Sequence, residues 1–285
     1  MNNVLYASIS ENEFLLFQEY VLKLCGIHIP PEKAYLLETR LSKLMMDAGV
    51  ETFHEYYKFL KTKDDPGLRQ KIINAVTTNE TLWFRDEAVW SCMEQIVLPK
   101  LVADLASGKK KQVRVWSAAA STGQEAYSAV MCVDNYLKKS PGVSLSNFEF
   151  TATDISTKVL EIAKRGRYDK ISITRGLSEG YRTKYFTHTE AAWELDPRIR
   201  DAVTFKQFDL QNNYHQFGVF DVIFCRYVLI YFSDSIKMET IKKMYSALTN
   251  DGVLFIGNYV LFDIFNGIFD ANHFKNINYY TKRIG

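Results

Sequence analysis

The sequence has no long apolar run. No stretch reaches the roughly 18 uncharged apolar residues that a membrane-spanning helix requires, because even the apolar segment 220–232 contains Asp221 and Arg226. The first residues also lack a basic stretch followed by an apolar one, so no secretory signal is predicted. We therefore expect a cytoplasmic protein that does not insert into a membrane.

The sequence also has little cysteine and no clustered histidine. The four cysteines, Cys25, Cys92, Cys132 and Cys225, are far apart, with no C-x-x-C pair. This spacing excludes a sequence-local zinc site and argues against a disulfide framework. The five histidines have no metal-ligand spacing either, so no metal is predicted.

There is almost no excess of charge of either sign. Thirty-five basic and 33 acidic residues give a net charge of +2, whereas a protein that relies on phosphate contacts usually has a stronger basic bias. We therefore expect no nucleic-acid partner. The 285 residues, 47% of them hydrophobic, are enough for one large and one small globular domain.

The N-terminal part is predicted to be helical. Ser10 followed by Glu13 is a capping-box pattern, and Gly26 marks the end of the helix that follows. In the next helix, over 32–47, an apolar stripe is flanked by Arg40 and Lys43. That flank is either a solvated edge or a docking face for a partner. Asp65-Pro66-Gly67 is predicted to be a turn.

The rest of the chain alternates between strand and helix patterns, which predicts a mostly parallel sheet covered on both faces. The predicted strands are 113–116, 148–153, 203–208, 220–225 and 253–257, with helices at about 124–138, 155–165 and 234–248. The interval 166–202 has neither pattern and is long enough to be an inserted subdomain. We predict a helical domain, 1–75, followed by an α/β domain, 76–285, of Rossmann-like topology.

The loop after the first predicted strand is suited to close contact with a ligand. It runs from Ala118 to Gly123 through small residues, which let a backbone approach closely, and a helix follows. It is not a G-x-G-x-x-G motif and has no P-loop lysine, which disfavours phosphate-bearing cofactors. Small residues at such a joint also pack well, so the pattern alone leaves both interpretations open.

Charged side chains follow several of the predicted strands. Asp154 ends the second strand, where a carboxylate either binds a ribose diol or caps the next helix. Glu125 either favours a cationic ligand or complements its own helix dipole. Arg85 and Arg226 lie among apolar residues and therefore need carboxylate partners, from the protein or from a ligand. A ribose site without a phosphate loop points to S-adenosylmethionine (SAM).

Four motifs in order along the chain resemble the chemotaxis receptor methyltransferases of the CheR family. They are TTNETLWFRD at 77–86, VRVWSAAASTGQEAYS at 113–128, ATDIS at 152–156 and FDVIFCRYVLIYF at 220–232. The segment GIHIPPEKAYLLETRL at 26–41 resembles the small helical domain of that family. The resemblance covers nearly the whole chain.

The resemblance implies a class I SAM-dependent methyltransferase that esterifies glutamate side chains on the cytoplasmic helices of chemoreceptors and releases S-adenosylhomocysteine (SAH). It implies an N-terminal receptor-facing domain, and an inserted β-subdomain that some members use to hold a receptor tail. The residues carried over as catalytic are Arg85, Arg226 and Tyr231. The residues predicted to bind the cofactor are Asn79, Thr81, Arg85, Ala118, Gly123, Glu125, Asp154, Asp209, Leu210, Arg226 and Tyr227.

The sequence departs from the family pattern at three places. Tyr227 replaces the asparagine of the family's C-R-N, Gly257-Asn258-Tyr259-Val260 stands where G-H-S-E is usual, and GQEAYS replaces GEEPYS. An alternative is therefore a regulatory module that binds SAM or SAH without transferring a methyl group. A second alternative is a methyltransferase for nucleic acid or for another protein. Against a base methyltransferase, the sequence lacks a [DN]-P-P-[YF] loop, and Cys225 follows Phe rather than Pro.

Overall fold

Four helices form the first part of the fold. The computed structural model of the protein describes residues 8–257 and 267–283. The four helices are α1 (Glu11–Cys25), α2 (Tyr35–Ala48), α3 (Phe53–Lys63) and α4 (Pro66–Val76), with a short 3₁₀ turn at Pro31–Lys33. Their apolar faces share one core, in which Phe17, Leu37, Leu41 and Phe53 are fully buried.

The helix ends follow from local sequence. Ser10 and Glu13 make the predicted capping box at α1, and Gly26 ends that helix with a positive φ of 74°. The predicted turn at 65–67 is wrong in its extent, because α4 already begins at Pro66. Proline fits the first helical position, where no N–H is needed, and Asp65 caps the helix by accepting from the Leu68 N–H at 2.8 Å.

The two residues flanking the α2 stripe have different roles. Lys43 is exposed, whereas Arg40 is half-buried and donates hydrogen bonds to the Val76 carbonyl and, at 3.0 Å, to Thr78 Oγ1. Arg40 therefore ties α2 to the chain that leaves α4, and the docking role of this flank stays a prediction.

A seven-stranded sheet is the centre of the second part. Its order is β6-β2-β1-β7-β8-β10-β9, parallel except for the pairings of β10. These strands are β1 (Val113–Ala118), β2 (Phe148–Asp154), β6 (Val203–Gln207), β7 (Phe220–Phe224), β8 (Leu248–Phe255), β9 (Phe269–Phe274) and β10 (Ile277–Lys282). The five predicted strands are all present, although β8 begins earlier than expected, and the hairpin of β9 and β10 was not predicted.

Helices cover the sheet on both faces. Before β1 the chain forms α5 (Glu87–Cys92), a π-helical turn at Met93–Val97 and α6 (Leu98–Ala106). The helices that follow parallel strands are α7 (Gln124–Leu137), α8 (Thr157–Arg165) and α12 (Asp234–Ala247). No helix in the described ranges has the length and apolar character needed to cross a bilayer.

The interval 166–202 contains a separate small sheet. It comprises β3 (Arg167–Tyr168), β4 (Phe186–His188) and β5 (Trp193–Leu195) in the antiparallel order β3-β5-β4, with short helices α9 (Lys170–Thr174), α10 (Glu179–Tyr185) and α11 (Pro197–Arg200). Asp134 of α7 anchors it by accepting from Tyr185 Oη at 2.7 Å and by pairing with Lys184 and Arg198. The predicted fold class, a helical part followed by a Rossmann-like domain with an inserted β-subdomain, is confirmed.

We expect Asp65→Ala to lower the free energy of unfolding by about 1 kcal/mol, because it removes the side-chain acceptor at the start of α4. Asp65→Asn should retain most of the stability, since asparagine is an equally good cap. Urea unfolding followed by circular dichroism measures both. Asp47→Ala, on the exposed side of α2, is the matched control. An equal effect of Asp47→Ala and Asp65→Ala would contradict the capping role.

Candidate active site

A cavity lies at the carboxyl ends of the parallel strands. Its walls include 119–121 after β1, Asp154 at the end of β2, 208–210 after β6 and 226–232 after β7. The segment 77–82 forms a further wall, and the cavity encloses about 1130 Å³ of empty space including its open mouth. Ligands of open α/β sheets bind in this position.

Most of the predicted site residues are brought together there. The predicted residues that line the cavity are Asn79, Thr81, Arg85, Glu125, Asp154, Asp209, Leu210, Arg226, Tyr227 and Tyr231. Ala118 and Gly123 do not line it. Ala118 is fully buried in β1, and the backbone that reaches the cavity is instead that of Ala119, Ala120 and Ser121.

Gly123 has a packing role at the start of α7. Its φ is 94°, and a Cβ at this position would lie 3.0 Å from Ala163 Cβ and 3.0 Å from the ring of Tyr127. Both the backbone conformation and the close neighbours require glycine. Gly123 therefore allows close packing next to the loop 119–121, on the side away from the cavity.

Asp154 is buried and holds two neighbouring segments together. One carboxylate oxygen accepts from the Ser121 N–H at 2.9 Å, and the other accepts from the Ser156 N–H at 2.9 Å. Burial raises the pKa of Asp154, and these backbone donors oppose that shift. Each oxygen retains a lone pair, so Asp154 can accept further hydrogen bonds from hydroxyl groups in the cavity.

Helix α4 holds the loop that follows Asp154, a contact that the sequence does not reveal. Asn74 Oδ1 accepts from Ser156 Oγ at 2.9 Å, and Asn74 Nδ2 donates to Thr157 Oγ1 at 3.0 Å. Gln70 Nε2 donates to the Ile155 carbonyl at 3.1 Å. The helical part therefore positions one wall of the cavity.

Arg226 forms a buried cluster with two carboxylates of the protein. Its guanidinium lies 3.0 Å from Glu125 Oε2 and 2.6 Å from Asp86 Oδ2, and it donates to the Arg85 carbonyl at 2.7 Å. The side chain is 1% exposed. Glu125 also accepts from Ser117 Oγ at 2.8 Å. Burial raises the pKa of Glu125, and the charge of Arg226 opposes that shift.

Arg85 is paired differently. Its Cζ lies 3.4 Å from the centre of the Tyr227 ring, and none of the described carboxylates is within ion-pair distance of its guanidinium. Of the two arginines predicted to need a carboxylate partner, Arg226 finds it in the protein. Arg85 is therefore the cation in this wall that can receive a carboxylate from a ligand.

The backbone around the cavity is strained at five places. Phe84, Asp86, Ala119, Ser121 and Tyr227 all have φ between 46° and 61°, a region that residues with a Cβ rarely adopt. Such conformations persist only where the surrounding contacts impose them, and they concentrate at functional sites.

Asp209 and Tyr231 complete two further walls. Asp209 accepts from the backbone N–H of Gln211 at 2.8 Å and from its side-chain amide at 3.2 Å, and burial raises the pKa of Asp209. The Tyr231 carbonyl accepts from the His28 N–H at 2.7 Å, beside a bridge between Ile27 and Phe232.

The cavity also contains residues that the sequence reasoning missed. Cys25 and Ile27, from the end of α1, line it together with Phe232. The glycine cap at Gly26 and the family-like segment 26–41 mark this region in the sequence, but neither shows which part of the fold the chain then meets. Asn258, one of the predicted departures from the family, lies outside the described residues.

Comparison with known proteins gives matches along almost the whole chain. Residues 12–77 match the family described as "CheR methyltransferase, all-alpha domain", and residues 79–272 match "CheR methyltransferase, SAM binding domain". Chemotaxis protein methyltransferase 1 of Pseudomonas aeruginosa is 39% identical over 251 residues, 88% of this chain and 90% of that protein. Chemotaxis protein methyltransferase Cher2 of Pseudomonas putida is 37% identical over 86% of this chain and 88% of its own length.

We expect Arg226→Met to lower the free energy of unfolding by about 3 kcal/mol, because it leaves the largely buried Glu125 and the partly exposed Asp86 without their cation. Denaturant unfolding measures the loss. Arg198→Met is the matched control, since Arg198 is 55% exposed and pairs at the surface with Asp134. Its expected loss is about 0–1 kcal/mol. Equal losses in the two variants would contradict a buried, mutually dependent charge cluster.

Proposed function

Because this chain belongs to the CheR methyltransferase family, we propose that its methyl acceptor is a glutamate side chain of a chemoreceptor. The family and the relatives show SAM-dependent methylation in chemotaxis, with SAM as the cofactor. We infer the acceptor group beyond that, from the matches to chemotaxis protein methyltransferases over 86–88% of the chain. The pairing of the two arginines supports the cofactor site, because one is neutralised within the protein and the other faces the cavity without a protein carboxylate.

The residues of the cavity fit the chemistry of SAM. Asp154 has acceptor capacity for the ribose hydroxyls, and Asp209 with Leu210 is proposed to lie beside the adenine. We propose that Arg85 binds the carboxylate of the methionine part. Asn79 and Thr81, in the same wall, are the remaining cofactor contacts that we propose. SAM carries no phosphate, in accord with a loop that has no P-loop lysine.

When bound, SAM supplies a methyl group on a positively charged sulfonium. No residue of the chain is assigned as a general base, because a glutamate with a pKa of about 4.3 is already ionised near neutral pH. What the protein must do is hold the two reactants in line and exclude water. The two cations Arg226 and Arg85 together offset the two carboxylates Glu125 and Asp86, so this part of the cavity wall presents no large net charge to an incoming carboxylate.

The three residues predicted to be catalytic receive different proposed roles. Arg226 is engaged by Glu125, Asp86 and a backbone carbonyl, so we propose that it positions the wall and does not touch the acceptor. Tyr231 lines the cavity beside the segment 25–28, whose His28 N–H donates to the Tyr231 carbonyl. We propose that the Tyr231 side chain contacts the acceptor side chain. Arg85 binds the cofactor in this account.

The partner that we propose is the cytoplasmic helices of a chemoreceptor, which places the reaction in the cytoplasm. The four-helix part, within the proposed domain 1–75, faces the receptor. The small sheet in 166–202 is proposed to hold a receptor tail, and β4 at one of its edges offers unpaired backbone groups for that contact. The remainder, 76–285, is the proposed methyltransferase domain.

A regulatory module that binds SAM without transfer is not favoured by the comparisons. Transfer to a cytosine carbon through a cysteine nucleophile is also not supported, since Cys225 is fully buried just after β7 and is not part of the cavity wall. Burial raises the pKa of the Cys225 thiol well above its ordinary value, which disfavours the thiolate that a nucleophile needs.

We expect Asp154→Ala to weaken SAH binding by about 1–3 kcal/mol, because ribose hydroxyls would lose a buried acceptor. Isothermal titration calorimetry measures the affinity. Asp251→Ala, at an exposed aspartate within β8, is the control and should leave the affinity unchanged. If Asp154→Ala binds SAH as the wild type does, Asp154 is not part of the cofactor site.

We expect the protein to transfer labelled methyl groups from SAM to receptor-containing membranes as base-labile esters. Mild alkali should release the label as methanol, because a carboxylate ester is saponified whereas a methylated amine is stable. Receptors whose accepting glutamates are changed to alanine are the control and should take up no label. Label that survives alkali would show that the acceptor is not a carboxylate.

A further inference from the structure

We propose that Tyr227 is a positioning residue that orients Arg85 for the carboxylate of the cofactor. The proposal rests on the cofactor site of the proposed function and does not depend on the identity of the methyl acceptor. It gives a role to the residue at which this chain departs from the family's C-R-N pattern.

The Arg85 guanidinium lies against the face of the Tyr227 ring. The distance from Arg85 Cζ to the ring centre is 3.4 Å, whereas Arg226 Cζ is 5.5 Å from the same centre. A guanidinium stacked on an aromatic face is attracted by the negative face of the ring. The ring therefore restricts the plane in which the Arg85 donors can point.

The Tyr227 ring is itself held in place. Its hydroxyl donates to Asp86 Oδ2 at 2.5 Å, the same oxygen that Arg226 approaches at 2.6 Å. A Cβ added at Gly257 would lie 3.0–3.1 Å from three carbons of the ring, so the backbone just after β8 leaves no free space on that side of the ring. The ring is thus linked to the buried charge cluster at one end and confined by backbone at its edge.

The chemistry of this stack differs from that of an ion pair. A protein carboxylate beside Arg85 would orient it but would also neutralise it, as Asp86 and Glu125 do for Arg226. An aromatic ring orients the guanidinium and leaves its charge and its N–H donors available. Arg85 therefore keeps the capacity to form a charge-assisted, two-donor contact with a ligand carboxylate.

This role predicts that the ring matters for ligands with a carboxylate and not for ligands without one. SAH carries the methionine-derived carboxylate, whereas 5′-methylthioadenosine has the adenosine and the sulfur but lacks the amino-acid part. The ratio of the two affinities isolates the Arg85 contact from the rest of the site.

The test is calorimetric titration of the full chain and its variants with SAH and, separately, with 5′-methylthioadenosine. Tyr227→Asn removes the ring, and asparagine tolerates the positive φ of 60° at this position. We expect it to weaken SAH about tenfold, within the range of a desolvated cation–π contact, and to leave 5′-methylthioadenosine unchanged. Tyr227→Phe keeps the ring and should retain most of the SAH affinity.

Arg85→Gln and Tyr227→Asn together form a double-mutant cycle. Arg85→Gln should weaken SAH binding. Adding Tyr227→Asn to Arg85→Gln should lower the SAH affinity little further, because the ring acts through Arg85. Binding of 5′-methylthioadenosine by every variant shows that the variant has folded.

Three results would overturn the proposal. They are equal weakening of both ligands by Tyr227→Asn, an SAH affinity that Tyr227→Asn leaves unchanged, and additive losses in the double variant. A failure of the glutamate-acceptor proposal would instead appear as base-stable label in the methyl-transfer experiment and would leave these affinity ratios as predicted.

Discussion

A buried guanidinium must have its charge balanced, and this requirement organises the site around Arg226. Removing the charge from water is costly unless carboxylates and other acceptors surround it, and loss of one partner leaves the other uncompensated. Glu125 from α7, Asp86 from the segment before α5 and the Arg85 carbonyl meet at this one side chain. The cluster therefore fixes three segments that are far apart in the sequence, and Tyr227 joins it through Asp86.

The same cluster accounts for part of the backbone strain, and Asp154 accounts for another part. Asp86 and Tyr227, both with positive φ, contact each other, and Ser121, with a φ of 51°, is held by Asp154. A residue with a Cβ leaves this region when its contacts are removed. Hydrogen bonds from α4 to 155–157 add a second support, so the cavity depends on the helical part as well as on the sheet.

Much of the fold could be predicted because its signals are local. The Ser10 capping box, the apolar strands and the carboxylate at the end of β2 need only neighbouring residues and the rule that parallel strands end at one edge. Side-chain contacts between residues that are far apart in the sequence could not be predicted. The sequence shows that Arg226 needs a carboxylate, but not that Asp86 supplies it, nor that Arg40 reaches Val76. Ala118 and Gly123 lie beside the cavity and do not line it, and the sequence left this open, since a small residue at a turn can serve packing as well as ligand contact. The β9–β10 hairpin lacks the nearly continuous run of buried residues that marks the central parallel strands.

The central claim is that segments scattered through the chain form one cofactor site. Hydrogen–deuterium exchange of the wild-type protein, with and without saturating SAH, tests it most directly. We predict that SAH slows exchange in the segments 77–85, 119–125, 154–157, 208–210 and 226–232. Exchange in the hairpin 269–282, which lies outside the cavity wall, should be unchanged. Protection confined to other segments, or no protection at a ligand concentration that saturates binding, would contradict it.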